Sequence, residues 1–259
     1  MKAGLNLYSL RTLISTEKDF LETAIKLRDM GYSYLQYSGA EFVPERIKRV
    51  SEESGLPVTL THVPQVRILE DTERLMEDHA VFGCKNIGLG SISPVNIVDE
   101  YKLKKNLEAL NSAAELMHKN GFSFFCHHHH YEFYRHKNET VFDYILKNAP
   151  YINFTLDTYW VQFGGANILD LLGKLDGRIG CVHLKDYKID RVTSQNEEVA
   201  LAPRFAPVGS GLLDMKAIVD KMRSLNTKYY FVEQDDACTA YENPLGQVES
   251  SIRYIKEEL

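Results

Sequence analysis

The chain is poor in residues that would cross-link a fold or hold it in a membrane. Its 259 residues include four cysteines, Cys84, Cys126, Cys181 and Cys238, all far apart. Three stand in or beside apolar strand-like runs such as Phe124-Phe125-Cys126 and Gly180-Cys181-Val182. So placed, they read as small buried hydrophobes of a reducing compartment, which excludes a disulfide or zinc-cysteine framework. No window reaches the ~18 apolar residues of a membrane helix, and Met1-Lys2-Ala3-Gly4-Leu5-Asn6-Leu7 lacks the apolar stretch and cleavage site of a secretory leader. A cytoplasmic protein without a membrane partner is expected. Basic residues are not in excess: 30 Lys and Arg face 36 Asp and Glu, a net charge of −6. A nucleic-acid backbone would meet a mildly repulsive field, so no nucleic-acid partner is expected.

What the chain does have is the composition of a folded protein, 44% hydrophobic and 25% charged, and a steady alternation of β-rich runs with amphipathic ones. The strand candidates are Gly4–Tyr8, Tyr34–Tyr37, Val58–Thr61, Asn86–Leu89, Phe122–His129, Ile152–Asp157, Ile179–Leu184 and Tyr229–Glu233. Helical patterns occupy Lys18–Met30, Pro44–Ser54, Arg67–Val81, Asp99–Asn120, Val141–Asn148, Ile168–Lys174, Met215–Leu225 and Gln247–Glu258. Eight strands each followed by a helix predict an α/β fold, a single (β/α)8 TIM barrel domain over residues 1–259; a doubly wound open sheet is the runner-up. Tyr187–Gly209 shows no pattern and is expected to be a long loop over the C-terminal face.

Strand C-termini of a barrel converge on one mouth. Here they carry chemistry: Cys126-His127-His128-His129-His130-Tyr131-Glu132-Phe133 after the fifth strand, Asp157-Thr158 after the sixth, His183-Leu184-Lys185-Asp186 after the seventh and Glu233-Gln234-Asp235-Asp236 after the eighth. Because side chains alternate along a strand, His127 and His129 share one face and His128 and His130 the other. With Asp157, His183 and Glu233 they make a mixed nitrogen and oxygen set suited to a divalent metal, Mn, Zn, Co or Fe. Any one of these residues alone would read as structural, such as a helix N-cap for Asp157; together at successive strand ends they read as a metal site.

In order and spacing, the chain resembles the sugar phosphate isomerase/epimerase family of the xylose-isomerase-like TIM barrel superfamily. The matching pieces are Leu7-Tyr8-Ser9-Leu10-Arg11, His127-His128-His129 with Glu132-Phe133, Leu156-Asp157-Thr158-Tyr159-Trp160, His183-Leu184-Lys185-Asp186, Val208-Gly209-Ser210-Gly211 before Asp214, and Val232-Glu233-Gln234-Asp235. The resemblance implies metal ligands at His127, Asp157, His183 and Glu233. Many relatives carry glutamate where His127 stands, and in ketose 3-epimerases two metal-bound glutamates trade a proton across the sugar. This chain keeps only Glu233, so His129 or Glu132 would replace the missing base, giving an asymmetric pair suited to isomerisation or β-elimination.

The expected activity is a metal-dependent isomerase or epimerase of a small sugar, keto-sugar or cyclitol, removing a proton next to a carbonyl through a metal-stabilised enediolate. Glu233, His129, Glu132 and Lys185 are its candidate catalytic residues. Tyr8, Arg11, His62, Trp160 and Arg204 are candidate substrate contacts. The Gly209-Ser210-Gly211 turn precedes a helix and could receive an anion, but no lysine cluster accompanies it, so a phosphorylated substrate is not indicated. The alternatives are a dehydratase or C-glycoside-cleaving lyase on the same scaffold, an apurinic-site endonuclease-like hydrolase, and a non-catalytic carbohydrate-binding barrel. Barrels of this type often self-associate, so a homo-oligomer is also in view.

Overall fold

A computed structural model describes residues 1–175, 177–193 and 199–259. Short apolar runs, each long enough to cross one barrel wall, form β1 (Gly4–Asn6), β2 (Tyr34–Tyr37), β3 (Val58–Thr61), β4 (Asn86–Leu89), β5 (Ser123–His127), β6 (Ile152–Asp157), β7 (Ile179–Leu184) and β8 (Tyr229–Val232). All neighbours pair in parallel, in the order β3-β2-β1-β8-β7-β6-β5-β4. β3 and β4 end the hydrogen-bonded sheet, and Val63 N–H closes the seam by donating to Gly88 O at 3.0 Å. At Gly88 a side chain would stand 2.3 Å from Thr61 O, so glycine lets the two walls meet. The result is a nearly closed eight-stranded barrel wrapped in helices.

Strand alternation divides the side chains between two layers. One set packs outward beneath the helices, in a core that includes Leu5, Leu35, Phe124, Cys126, Phe154, Leu156, Val182 and Val232. The other set plugs the barrel interior with Tyr34, Leu60, Phe125, Cys181 and Phe231. The same inward rows continue two residues further toward the strand C-termini, and there the apolar plug gives way to Gln36, His62, His127, His183 and Glu233. A packed floor thus lies directly under a polar mouth.

The structure departs from the sequence expectations at the ends of elements. The first strand stops at Asn6, whose side chain accepts the Tyr8 N–H at 3.1 Å and turns Leu7–Leu13 into a 3-10 helix. The fifth strand stops at His127 and leads into a short 3-10 helix, Tyr131–Phe133. The expected Arg67–Val81 helix is two, Gln65–Glu70 and Thr72–Val81. Glu100–Lys119 begins one residue later than expected because Asp99 caps it, accepting the Lys102 N–H at 3.0 Å. The supposed loop after β7 is largely an antiparallel hairpin pairing Asp186–Thr193 with Val199–Ala206, most of its side chains exposed or half-exposed. Without a buried face it lacks the alternation that marks a strand. No helix among the described residues is long and apolar enough to cross a membrane.

Candidate active site

Register brings the ligand candidates together before any side chain is considered: Asp157 at the end of β6 stands opposite His183 on β7. His127, Asp157, His183 and Glu233 each offer a ligand atom to one point, these atoms lying within 4.8 Å of one another, and all four residues are buried. Each is tied by its far atom. His127 Nδ1 donates to Gly90 O at 2.9 Å and His183 Nε2 to Gln36 Oε1 at 2.7 Å. Asp157 Oδ1 accepts the Trp160 N–H at 2.9 Å, capping the Thr158–Phe163 helix, and Glu233 Oε1 accepts from Asn6 Nδ2 at 2.5 Å. The near atoms are left to one another: His127 Nε2 is 3.3 Å and His183 Nδ1 3.7 Å from Asp157 Oδ2, and His183 Nδ1 is 2.8 Å from Glu233 Oε2. His183 Nδ1 and Glu233 Oε2 are buried and meet only groups of the site itself. Two imidazoles and two carboxylates, each oriented by a second group and aimed inward, could hold a divalent metal ion.

The charges agree with that fit. Burial would raise the carboxyls of Asp157 and Glu233, yet Lys185 beside Asp157, and His183 and Lys185 beside Glu233, hold both well below the usual carboxylate range. Burial would lower His183, but Glu233 and Asp157 outweigh it and raise its pKa to about 9. The cluster therefore attracts positive charge, and a divalent cation would compete there with a proton.

Lys185 shares the face of His183, as its spacing predicts. Its Nζ lies 3.1 Å from Asp157 Oδ2, 2.8 Å from Glu233 Oε2 and 3.0 Å from Asp235 Oδ1. Burial disfavours its charge, but these three carboxylates hold its pKa well above the usual lysine value. His129, half-buried, stands on the strand-five side with its ring stacked on Tyr131 and its Nδ1 3.0 Å from Tyr131 Oη. Burial and the nearby His127 lower its pKa to about 3, so its ring is neutral. Trp160 flanks both residues, its ring 5.1 Å from that of His129 and 5.3 Å from Lys185 Nζ.

A cleft of about 780 Å³ opens above the cluster, lined among others by Tyr8, His62, His127, His129, Lys185 and Glu233. His62 Nε2 is buried there without a partner. Arg11 lies at its edge, spanning Tyr8 O and Asp235 O at 2.9 and 2.7 Å with its guanidinium over the Tyr8 ring.

Two sequence candidates stand elsewhere. Glu132 is buried outside the cleft lining, where its Oε2 accepts the His129 N–H at 2.9 Å. The chain leaves β5 at His127 and turns through the short Tyr131–Phe133 helix, which carries Glu132 to the His129 backbone. Arg204 is exposed on the outer hairpin strand, opposite Lys188. Three residues of the site were not anticipated: Asn6, Gln36 and Asp235. The signal was present, since Asn6 and Gln36 are polar residues at inward strand positions and Asp235 is two residues beyond Glu233.

Comparison with known proteins agrees with this architecture. Residues 24–258 match the xylose isomerase-like TIM barrel family. An inosose dehydratase of Geobacillus thermodenitrificans is 26% identical over 171 residues, 63% of this chain and 56% of that protein, so the chain spans little more than half the length of the curated relatives it matches. A sugar phosphate isomerase/epimerase of Parabacteroides distasonis superposes with a TM-score of 0.79 at 23% identity, covering 99% of this chain and 98% of that one. A 3-keto-D-glucoside 4-epimerase of E. coli superposes with a TM-score of 0.67 at 19% identity, covering 99% of both chains.

Proposed function

Since the chain belongs to the xylose isomerase-like TIM barrel family, we propose that it is a divalent-metal-dependent isomerase or epimerase that moves a proton next to the carbonyl of a small sugar, keto-sugar or cyclitol. One observation carries the reading: four buried donors, each with its far atom anchored, aim at one point on the floor of an open polar cleft. His127, Asp157, His183 and Glu233 would hold the ion. Such an ion, when bound, supplies a Lewis acid that draws electrons from a substrate carbonyl and acidifies the neighbouring C–H.

The chain's own residues supply the rest. Lys185 Nζ lines the cleft beside the cluster and can donate to a substrate oxygen, steadying negative charge as the C–H proton leaves. His129 lines the cleft, and with Nδ1 donating to Tyr131 Oη its Nε2 is free to take or return the proton. Glu233, anchored by Asn6, is the one carboxylate of the cluster that also lines the cleft. A histidine on one side and a lysine and carboxylate on the other form an asymmetric pair.

That asymmetry supports a second reading, loss of water from a cyclitol or keto-sugar, with Lys185 as the acid for the departing hydroxyl; the inosose dehydratases among the relatives point the same way. Both readings are tested by incubating the metal-loaded protein with keto-sugars and inososes in deuterated water and following the carbon next to the carbonyl by NMR. Exchange or inversion without loss of water supports the isomerase reading, and release of an unsaturated product supports the dehydratase. Absence of both on every substrate would overturn the proposal.

A further inference from the structure

Every polar group of His129 but one is held from within the chain. Glu132 Oε2 accepts its backbone N–H at 2.9 Å, and its carbonyl accepts from His128 Nδ1 at 3.2 Å. The direction of that second bond is fixed, because His128 Nε2 accepts the Asp157 N–H at 3.1 Å and a backbone N–H can only donate, which leaves the proton of the His128 ring on Nδ1. The His129 ring is stacked on Tyr131 and stands 5.1 Å from the Trp160 ring, with Nδ1 3.0 Å from Tyr131 Oη. Among the described residues nothing bonds its Nε2.

Beyond His129 Nδ1 runs a chain of hydroxyls. Tyr131 Oη is hydrogen-bonded to Ser91 Oγ, and Ser91 Oγ to Ile92 O at 3.1 Å. Hydroxyls and imidazole nitrogens can each give or take a hydrogen bond, so the first two links alone would permit either polarity. The last link removes the choice. A backbone carbonyl only accepts, so the Ser91 proton goes to Ile92 O; Ser91 Oγ then accepts from Tyr131, and Tyr131 Oη accepts from His129 Nδ1. The neutral ring thereby carries its proton on Nδ1 and its lone pair on Nε2. The anchor lies on a different loop from the histidine: Ser91 follows β4, whereas His129 follows β5.

We infer that Ser91 and Tyr131 are positioning residues: a one-way hydroxyl chain ending on Ile92 O sets the tautomer of His129 and presents its Nε2 lone pair as the base. This rests on the proton-transfer reading above for what the lone pair does, and not for where it lies. Two-bond 1H–15N NMR of the imidazole nitrogens, on the zinc-loaded protein with His129→Gln to assign the signal, reads the tautomer without any substrate. The wild type should show the His129 proton on Nδ1. Tyr131→Phe keeps a ring for the stack and removes the acceptor; Ser91→Ala, at a residue that makes no bond to His129, lets the tyrosine hydroxyl turn and donate to Nδ1. Both should move the proton to Nε2 and lower kcat for exchange in deuterated water about tenfold with KM little changed, and Ser91→Thr, which keeps the hydroxyl, should restore both. A wild-type proton on Nε2 would overturn the inference, and so would a loss of kcat in the variants with the tautomer unmoved. Should the tautomer move as expected while no keto-sugar or inosose reacts, the proton-transfer reading fails and the tautomer assignment stands.

Discussion

Gln36 on β2 accepts from His183 on β7 at 2.7 Å, so a residue on one side of the barrel mouth orients a metal-ligand candidate on another. The bond places the proton on Nε2 and turns Nδ1 toward the cluster. Gln36→Leu should therefore weaken metal binding by about 10- to 100-fold, in the range for partners that orient a ligand. His183→Ala should abolish stoichiometric binding, which mass spectrometry at one ion per chain would register. Metal retained in full by both variants would remove the cluster from consideration.

Glu132 and His129 are separable by mutation. The carboxylate lies outside the cleft lining and holds the His129 backbone, whereas the imidazole lines the cleft. His129→Ala is expected to cost about 100-fold or more in kcat, typical of a proton-transfer group, and Glu132→Gln only a few-fold. Equal losses would show that the carboxylate acts on the substrate.

Glu132 also sets a pH dependence. Burial raises its pKa to about 8, against an ordinary value of 4.5. The folded state thus binds the extra proton between those values, and this contribution to stability is complete below pH 4.5 and lost as pH rises through about 8. Glu132→Gln should flatten the fall in Tm across that interval and be the more stable protein at pH 8.

His79 works in the opposite direction. It is buried between Thr61 Oγ1 at 2.8 Å and Leu75 O at 2.7 Å, and burial lowers its pKa from 6.5 to about 4. Its neutral ring contributes stability above pH 6.5 that is lost as pH falls toward 4, with a slope of up to about 1.4 kcal/mol per pH unit. Denaturant titrations of the wild type and His79→Gln should show a shallower acid slope in the variant.

Asp186 accepts the N–H groups of Tyr187, Gly209, Gly211 and Leu213 from a buried position. Asp186→Ala would orphan these donors and should cost about 3 kcal/mol. Gly211→Ala should be nearly as harmful, since its methyl would stand 2.1 Å from Asp186 Oδ1. Unchanged melting in both variants would contradict this account of the turn.

The barrel was legible because its signal is apolar and periodic. β2, β3, β4, β6 and β7 run just where the sequence placed them, and His127, Asp157, His183 and Glu233, the set that the family resemblance implied, stand together. What escaped notice carried a fainter signal. Gln36 and Asn6 are single polar residues in short strands, and only their neighbours across the barrel reveal what they hold. The hairpin Asp186–Ala206 has no buried stripe to announce it. Glu132 was named only as a stand-in for the base that the family resemblance implied, and the short helix after β5, which carries no pattern of its own, decides where its carboxylate lies.

The seam between β3 and β4, bridged by Val63 and Gly88, falls on the half of the barrel that bears none of the four ligand candidates, beneath the broad end of the cleft. The β5 to β8 half carries all four ligand candidates at the ends of consecutively paired strands. The seam half is not idle, because Asn6, Gln36 and Gly90 reach across from it to fix Glu233, His183 and His127. Only the loop residues beyond those three anchors can lengthen, shorten or exchange without moving a donor atom, so the molecule keeps its reactive chemistry on one wall and leaves the outer rim of the other free to drift toward new substrates.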